Sequence, residues 1–109
     1  MTYTWRIIKL SLQDELNQDG VLLENSVVNI KWKYKGEDTD GSSASYVGNT
    51  KLSAANVSAD DFILYNSVTN DIALGWITDN MTADELTRIQ AQITAKIEKN
   101  RVQKVRPNW

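Results

Sequence analysis

The chain has 109 residues, of which 41% are hydrophobic and 24% are charged, and its formal net charge is −2. A chain of this length can bury about two-thirds of the surface that it exposes when unfolded, so we expect one compact domain. It contains no cysteine and no histidine, which excludes thiol catalysis and removes the commonest general base and transition-metal ligand. Carboxylate-only chemistry stays open, but no acids pair in a recognisable site. We therefore expect a protein that is not an enzyme and that uses no metal or other cofactor.

The first predicted element is a strand over residues 3–12. Its large apolar side chains fall in two phases, first Tyr3, Trp5 and Ile7, then Ile8, Leu10 and Leu12. The apolar side changes at Ile7 and Ile8, which indicates either a bulge or a strand buried on both faces. No basic segment followed by an apolar core precedes this strand, so no signal peptide is expected. No apolar run approaches the roughly 18 residues that a membrane span needs.

A turn and a strongly alternating strand follow. Residues 17–20 end in an Asp-Gly pair, which is typical of a hairpin turn, here leading into residues 21–23. After a polar break at residues 24–26, one phase of the segment 27–35 is apolar, namely Val28, Ile30, Trp32 and Tyr34. The other phase is polar, namely Asn29, Lys31, Lys33 and Lys35. This alternation predicts a half-buried antiparallel strand whose lysine side faces solvent or a partner.

A polar loop at residues 36–42 separates this strand from a short one predicted at residues 44–47, in a loop-closed hairpin. Within the loop, Asp38, Asp40 and Gly41 invite comparison with a calcium-binding loop. In an EF-hand, however, the glycine is the sixth residue and a glutamate is the twelfth, whereas here the glycine is the fourth. We therefore expect no metal site in this loop.

After Gly48 the apolar residues no longer alternate with polar ones but follow a helical spacing, so two helices are predicted. Residues 58–61 resemble the cap of a single turn. Thr69 can cap a first helix with an apolar side of Val68, Ile72, Trp76 and Ile77. Thr82 and Glu85 then form a capping-box pattern that opens a second helix. The apolar residues of that helix form one stripe, namely Leu86, Ile89, Ile93 and Ile97. Gly75, inside the first helix, is interpreted as allowing close packing beside Trp76.

Together these elements predict an α+β fold, with a three- or four-stranded antiparallel sheet covered on one face by two C-terminal helices. We expect a single domain over residues 1–100. An extended basic tail is predicted over residues 101–109, because Pro107 stops helix propagation and residues 102–109 carry no apolar stripe.

The C-terminal segment is the predicted binding site. From Lys96 onward five cations stand against one acid, so a basic tail follows an acidic body. Cations that suit the helix dipole are a purely structural explanation for the first of them. A large aromatic after a proline is suited to docking in a pocket of a neighbouring subunit, and docking on its own domain is the alternative. The residues that we expect to bind a partner are Lys104, Arg106, Pro107 and Trp109.

We do not expect the lysine side of the alternating strand to bind nucleic acid. Stacking on bases requires aromatic rings on the same face as the cations, whereas Tyr34 shares its phase with Trp32. An acidic body also opposes phosphate. The lysines are therefore interpreted as keeping a sheet face soluble or as protecting a sheet edge.

Six segments of the sequence stand out together. They are Tyr-Thr-Trp-Arg-Ile at residues 3–7, Val-Val-Asn-Ile-Lys-Trp-Lys-Tyr at 27–34, an acidic glycine loop, Asp-Phe-Ile-Leu-Tyr at 61–65, Val-Thr-Asn-Asp-Ile-Ala-Leu-Gly-Trp-Ile at 68–77, and the terminal Trp109. In this combination the chain resembles, over nearly its whole length, small proteins encoded in the structural gene blocks of tailed bacteriophages. Asn108 departs from the Pro-Trp form that this tail often takes in those proteins.

The resemblance implies a non-enzymatic virion structural protein, made in the host cytoplasm and located in the virion. It would be a capsid decoration (cement) protein or another accessory particle protein. A tail or head-tail component is one alternative, and a small phage regulatory protein that binds a host enzyme is another. The implied partners are other virion proteins, either major capsid or tail proteins. Self-association or lattice contacts are also expected, because an edge strand leaves backbone groups that a neighbour can pair.

Overall fold

The computed structural model describes residues 1–101 and Pro107. Within them the elements are β1 (Thr2–Leu16), β2 (Leu22–Glu37), β3 (Ser43–Lys51), a 3-10 turn (Tyr65–Ser67), α1 (Asn70–Asp79) and α2 (Ala83–Arg101). The strands form one antiparallel sheet in the order β1-β2-β3. Both helices contribute to a single core with one side of this sheet. The predicted α+β fold, with a three-stranded antiparallel sheet followed by two C-terminal helices, is confirmed.

The first hairpin turn is held by the side chain of Asn17. Its amide oxygen accepts hydrogen bonds from the backbone N–H groups of Asp19 and Val21, at 3.0 and 2.9 Å. Its amide nitrogen donates to the carbonyl of Val57 at 2.9 Å, and Gly20 adopts a φ of +75° that glycine tolerates without strain. The turn predicted at residues 17–20 is confirmed, and it is also tied to the segment that follows β3.

Three register shifts interrupt the pairing of the long β1–β2 hairpin. The first leaves Ile8 without a partner on β2, so of the two explanations for the change of phase at Ile7 and Ile8 the bulge is the one that the structure shows. The second leaves Val28 unpaired with β1, and it puts Val27 in the core while Val28 is only half-buried. The assignment of Val28 to the apolar phase is therefore wrong. The polar break predicted at residues 24–26 does not interrupt the strand, because β2 runs through it, but the third register shift falls there and leaves Glu24 and Asn25 out of the pairing with β1.

The core lies between one face of the sheet and the two helices. Its fully buried side chains are Ile30, Ile77, Ile93 and Ile97. The predicted α2 stripe is confirmed, with Ile89 also buried and Leu86 packed against the cluster. Both predicted caps are present, since the hydroxyl of Thr69 accepts from the N–H of Ile72 at 3.3 Å and that of Thr82 from the N–H of Glu85 at 3.1 Å.

Glycines allow the closest approaches in this core, although not at the predicted position. A Cβ on Gly48 would lie 2.4 Å from the Trp32 ring, and one on Gly36 would lie 2.6 Å from the side chain of Ile93. Apart from its chain neighbours and the backbone of its own helix, no atom lies within 4 Å of the place that a Cβ on Gly75 would occupy. The interpretation of Gly75 as a close-packing residue is therefore wrong, and that role belongs to two glycines in strands.

The second hairpin is longer than predicted, because β2 ends at Glu37 and β3 extends from Ser43 to Lys51. The acidic loop between these strands stabilises its own backbone. The Asp38 carboxylate accepts from the N–H of Thr39 at 2.8 Å, and the Asp40 carboxylate accepts from that of Ser42 at 2.9 Å. Both acids thus have a structural role as turn residues.

Candidate interaction surface

The lysines predicted to share one side of the alternating strand lie on the sheet face that the helices leave uncovered. Lys31 and Lys35 are exposed, and Lys33 is half-buried. Trp32 and Tyr34, which alternate with them, are buried in the core. The predicted half-buried strand is therefore confirmed. Because β2 is the central strand of the sheet, however, the interpretation that its lysines protect a sheet edge is wrong.

The neighbouring strands add three more cations to this face. In the register of the sheet, Arg6 of β1 lies opposite Lys33, and Lys9 lies opposite Lys31. Lys51 of β3 lies opposite Asn29, whose phase is that of the lysines. Directly opposite residues project to the same side of a sheet. The cationic face is defined here as the outward side chains of Arg6, Lys9, Lys31, Lys33, Lys35 and Lys51, half of the chain's 12 lysines and arginines.

This charge is almost uncompensated. Where all three strands pair, over residues 2–11, 29–37 and 43–51, the only acid is Glu37. Its carboxylate lies 3.8 Å from the Lys35 ammonium, and both side chains are about half exposed, so the pair is worth little. Within the described residues, the other five cations of this face form no ion pair.

The arrangement acts against the stability of the sheet. Like charges directly opposite each other on neighbouring strands are destabilising, by up to about 1 kcal/mol per pair at exposed positions. The cationic face contains two such pairs, Arg6 with Lys33 and Lys9 with Lys31. Solubility alone does not require this, because a mixture of lysine and glutamate on the same rows would be equally soluble and less repulsive. A face that concentrates one sign of charge at this cost is suited to binding the opposite sign.

The acids are segregated to other parts of the molecule. Residues 12–26, at the end of the first hairpin, contain four acids and no lysine or arginine. The remaining acids, apart from Glu37, lie on the loops and helices. The predicted acidic body is therefore acidic only on average, and its charge does not oppose an anionic partner at the cationic face.

An exposed apolar residue lies at the edge of the cationic face, on the outer strand β3. Val47 is opposite Lys33 on β3, and 51% of its surface is exposed. The aromatic rings lie on the other side of the sheet, where Tyr3 stacks on Tyr34 at 5.1 Å and Trp5 meets Trp32 edge-on at 5.2 Å. The cationic face of the described sheet thus offers charge with one exposed apolar residue at its edge, and no ring for stacking.

Three of the four predicted binding residues, Lys104, Arg106 and Trp109, lie outside the described residues. Pro107 is described, and it is exposed and outside regular secondary structure. The sequence prediction missed Arg6, Lys9 and Lys51. The alternation of Arg6 with Trp5 and Ile7 contained the signal for the first. The bulge moves Lys9 to the cationic face, and β3 extends past its predicted end to include Lys51.

The described residues provide no group of three or more acidic, histidine or cysteine side chains that could hold a metal ion. None of the helices in this part of the chain is long and apolar enough to cross a membrane. What the geometry defines is an α+β domain with one helix-covered sheet face and one cationic sheet face.

Comparison with protein families identifies the domain further. The family model described as a domain of unknown function, DUF7936, matches residues 1–108, and the chain therefore belongs to this family. No curated protein and no solved structure matches the chain.

Proposed function

We propose that this chain is a non-enzymatic accessory protein of a tailed-bacteriophage particle, and that its cationic face attaches it to an acidic protein surface of the particle. The observation that carries this proposal is the set of six cations on one uncovered sheet face, with only Glu37 among them. Such a face raises the rate of encounter with an anionic surface and selects against cationic ones.

The composition of the cationic face favours a protein partner over nucleic acid. Protein interfaces combine apolar and polar contacts, and Val47 offers an exposed apolar contact beside Lys33. A phosphate backbone needs cations but no apolar contact. Binding of single strands would use stacked aromatic rings, and the rings of Tyr3, Trp5, Trp32 and Tyr34 lie on the covered face of the sheet.

The sequence resemblance to proteins of phage structural gene blocks supports the particle as the location. Among particle proteins, a capsid decoration protein fits a small domain with one charged face, because repeated copies of one acidic surface would each bind one domain. The partner is then the major capsid protein, and the protein, made in the host cytoplasm, is located in the virion.

Quantitative mass spectrometry of purified particles tests the location. Many copies per particle are expected for a decoration protein. Absence from particles, with the protein present in the infected cell, would overturn the proposal and favour a regulatory protein that binds a host enzyme. A few copies per particle would contradict a capsid decoration role and indicate a tail or head-tail component.

Charge reversal tests the surface. The double variant Lys31→Glu/Lys33→Glu should weaken binding to particles by about tenfold or more, since each lost ion pair is worth up to about 1 kcal/mol and repulsion is added. The matched control is Arg88→Glu/Lys99→Glu, which changes the net charge equally at exposed residues of α2 and should bind as the wild type does. Equal losses in both variants would contradict a specific role for the cationic face.

Binding to a DNA duplex of mixed sequence distinguishes a nucleic-acid partner from an acidic protein surface. If the cationic face binds phosphate, affinity for the duplex should fall by orders of magnitude between 50 and 200 mM salt, in proportion to the number of phosphates contacted. Such binding, lost in Lys31→Glu/Lys33→Glu and unaccompanied by binding to particles, would replace the protein surface by nucleic acid. We expect weak duplex binding at most.

A further inference from the structure

An open apolar cleft lies at the first-hairpin end of the sheet, away from the cationic face. It has a volume of about 230 Å³ and is lined by Val27 of β2, by Leu52 and Ala54 after β3, by Phe62 and Ile63, and by Trp76 of α1. Apolar cavities of roughly 150 Å³ take up a benzene ring, so this cleft, called here the Trp76 cleft, has room for an indole.

The surroundings of the Trp76 cleft favour an apolar group flanked by cations. Beside it, Leu64 and Tyr65 are exposed by 63% and 43%, and such apolar patches mark interaction sites. Asp61 lines the cleft, which has no lysine or arginine in its lining. Glu15 lies nearby, where its carboxylate accepts from the N–H of Ala54 at 3.2 Å.

The chain itself contains a segment with this chemistry. Trp109 follows Lys104 and Arg106, so an indole and two cations fall within six residues. The indole matches the aromatic lining of the cleft, and the two cations match the carboxylate at its rim.

This segment cannot reach the Trp76 cleft of its own chain. Gln90 of α2 donates to the Tyr34 hydroxyl at 3.1 Å, and Ile93 lies against Gly36, so α2 runs in the direction of β2 and away from the cleft. Val27 and Gly36 are nine residues apart on β2, which is roughly 30 Å, and α2 continues for about 12 Å from Ile93 to Arg101. The eight residues from Arg101 to Trp109 span at most about 28 Å.

We infer that residues 102–109 of one copy dock on a second copy, with the Trp109 side chain in the Trp76 cleft and Lys104 and Arg106 beside its acidic rim. Each copy then offers one docking segment and one cleft at distant places. Contacts of this head-to-tail kind join copies into a closed ring or an open chain. The contact is independent of the cationic face, which stays available to another partner.

Disulfide trapping tests this contact in the 109-residue chain, which has no native cysteine. A tagged copy with Asn108→Cys is mixed with an untagged copy with Ile63→Cys under mild oxidation. A mixed dimer is expected. The control uses Arg88→Cys, an exposed position on α2, in place of Ile63→Cys, and it should give only background dimer. Adding Trp109→Ala to the Asn108→Cys copy should abolish the mixed dimer, whereas Trp109→Phe should retain most of it.

Three outcomes would overturn the inference. The first is an internal disulfide in a single chain that carries both cysteines, which would place the segment on its own domain. The second is an equal yield of dimer with Arg88→Cys, which would indicate random collision. The third is the absence of mixed dimer at all protein concentrations tested. Because no particle or nucleic acid is present, these outcomes do not depend on the function of the cationic face.

Discussion

The two faces of the sheet are built from alternate residues of the same three strands, yet they contribute to stability with opposite sign. On the covered face, Trp32 is 3% exposed, packs edge-on against Trp5 and donates its indole N–H to Thr50. On the cationic face, Lys33 lies opposite Arg6 and makes no ion pair within the described residues. Contacts on the first face explain why the sheet forms, whereas charges on the second have to be explained by what the sheet binds.

The largest effect on the covered face is expected at Gly48. Gly48→Ala places a methyl group within 2.4 to 3.0 Å of three atoms of the Trp32 ring, and this ring is buried and cannot rotate aside without losing its hydrogen bond. We expect the free energy of unfolding to fall by about 2 to 3 kcal/mol, as for other overpacked cores, measured by denaturant unfolding. A wild-type value would show that the ring and strand yield easily.

The Trp32 hydrogen bond gives the next effect. The Thr50 hydroxyl accepts from the indole N–H at 3.0 Å, in a buried position. Thr50→Val keeps the shape but leaves the N–H without an acceptor, which should cost about 1 to 2 kcal/mol of unfolding free energy. Thr50→Ser keeps the hydroxyl and should restore much of that loss. A wild-type unfolding free energy for Thr50→Val would show that the hydrogen bond contributes nothing, and a loss only in Thr50→Ser would assign the effect to the methyl group.

These two positions also show where sequence reasoning reaches its limit. The period of two in β2 and the caps and stripe of the helices depend on neighbouring residues, so they predicted the elements and the α+β class. The close approach at Gly48 depends on which residue of β2 lies opposite it, and the register is set by bulges and turns along the whole hairpin. No local pattern marks Gly48 as a contact of Trp32.

The cationic face was predicted in part for the same reason. Lys31, Lys33 and Lys35 follow from alternation within one strand. By strict alternation Lys9 would share the phase of Tyr3 and Trp5 and face the core, and the bulge at Ile8 reverses this. That Arg6 lies opposite Lys33 is a property of pairing between strands distant in sequence. The Trp76 cleft joins β2, α1 and an irregular segment, which only the folded chain brings together.

Gly75 provides a contrast to Gly48, because substitution by alanine should raise the unfolding free energy at Gly75 and lower it at Gly48. Gly75 lies inside α1 with no atom near the position of a Cβ. Gly75→Ala should therefore raise the unfolding free energy by about 0.5 to 1 kcal/mol, since alanine restricts the unfolded chain and is the better helix former. Thermal unfolding of Gly48→Ala and Gly75→Ala beside the wild type should show a lowered melting temperature for the first and a raised one for the second. A destabilised Gly75→Ala would reveal a contact that the described residues do not show.

On the cationic face, the comparison predicts that a charge reversal stabilises the domain while it weakens binding. Lys33→Glu replaces the repulsion between Arg6 and Lys33 by an opposite-charge pair, which should raise the unfolding free energy by about 0.5 kcal/mol. Lys35→Glu makes the same change of charge, but Lys35 lies opposite Thr4 and Ser45 and next to Glu37, so no stabilisation is expected.

Thermal unfolding of both variants at low and high salt distinguishes this local effect from the change in net charge. The stabilisation by Lys33→Glu should shrink as salt screens exposed charges, since the Debye length falls to about 3 Å at 1 M. If Lys35→Glu stabilised equally, net charge rather than the opposed pair would be the cause. If Lys33→Glu instead destabilised the domain, Lys33 would stabilise the folded state. The inference that the cationic face costs stability would then be wrong.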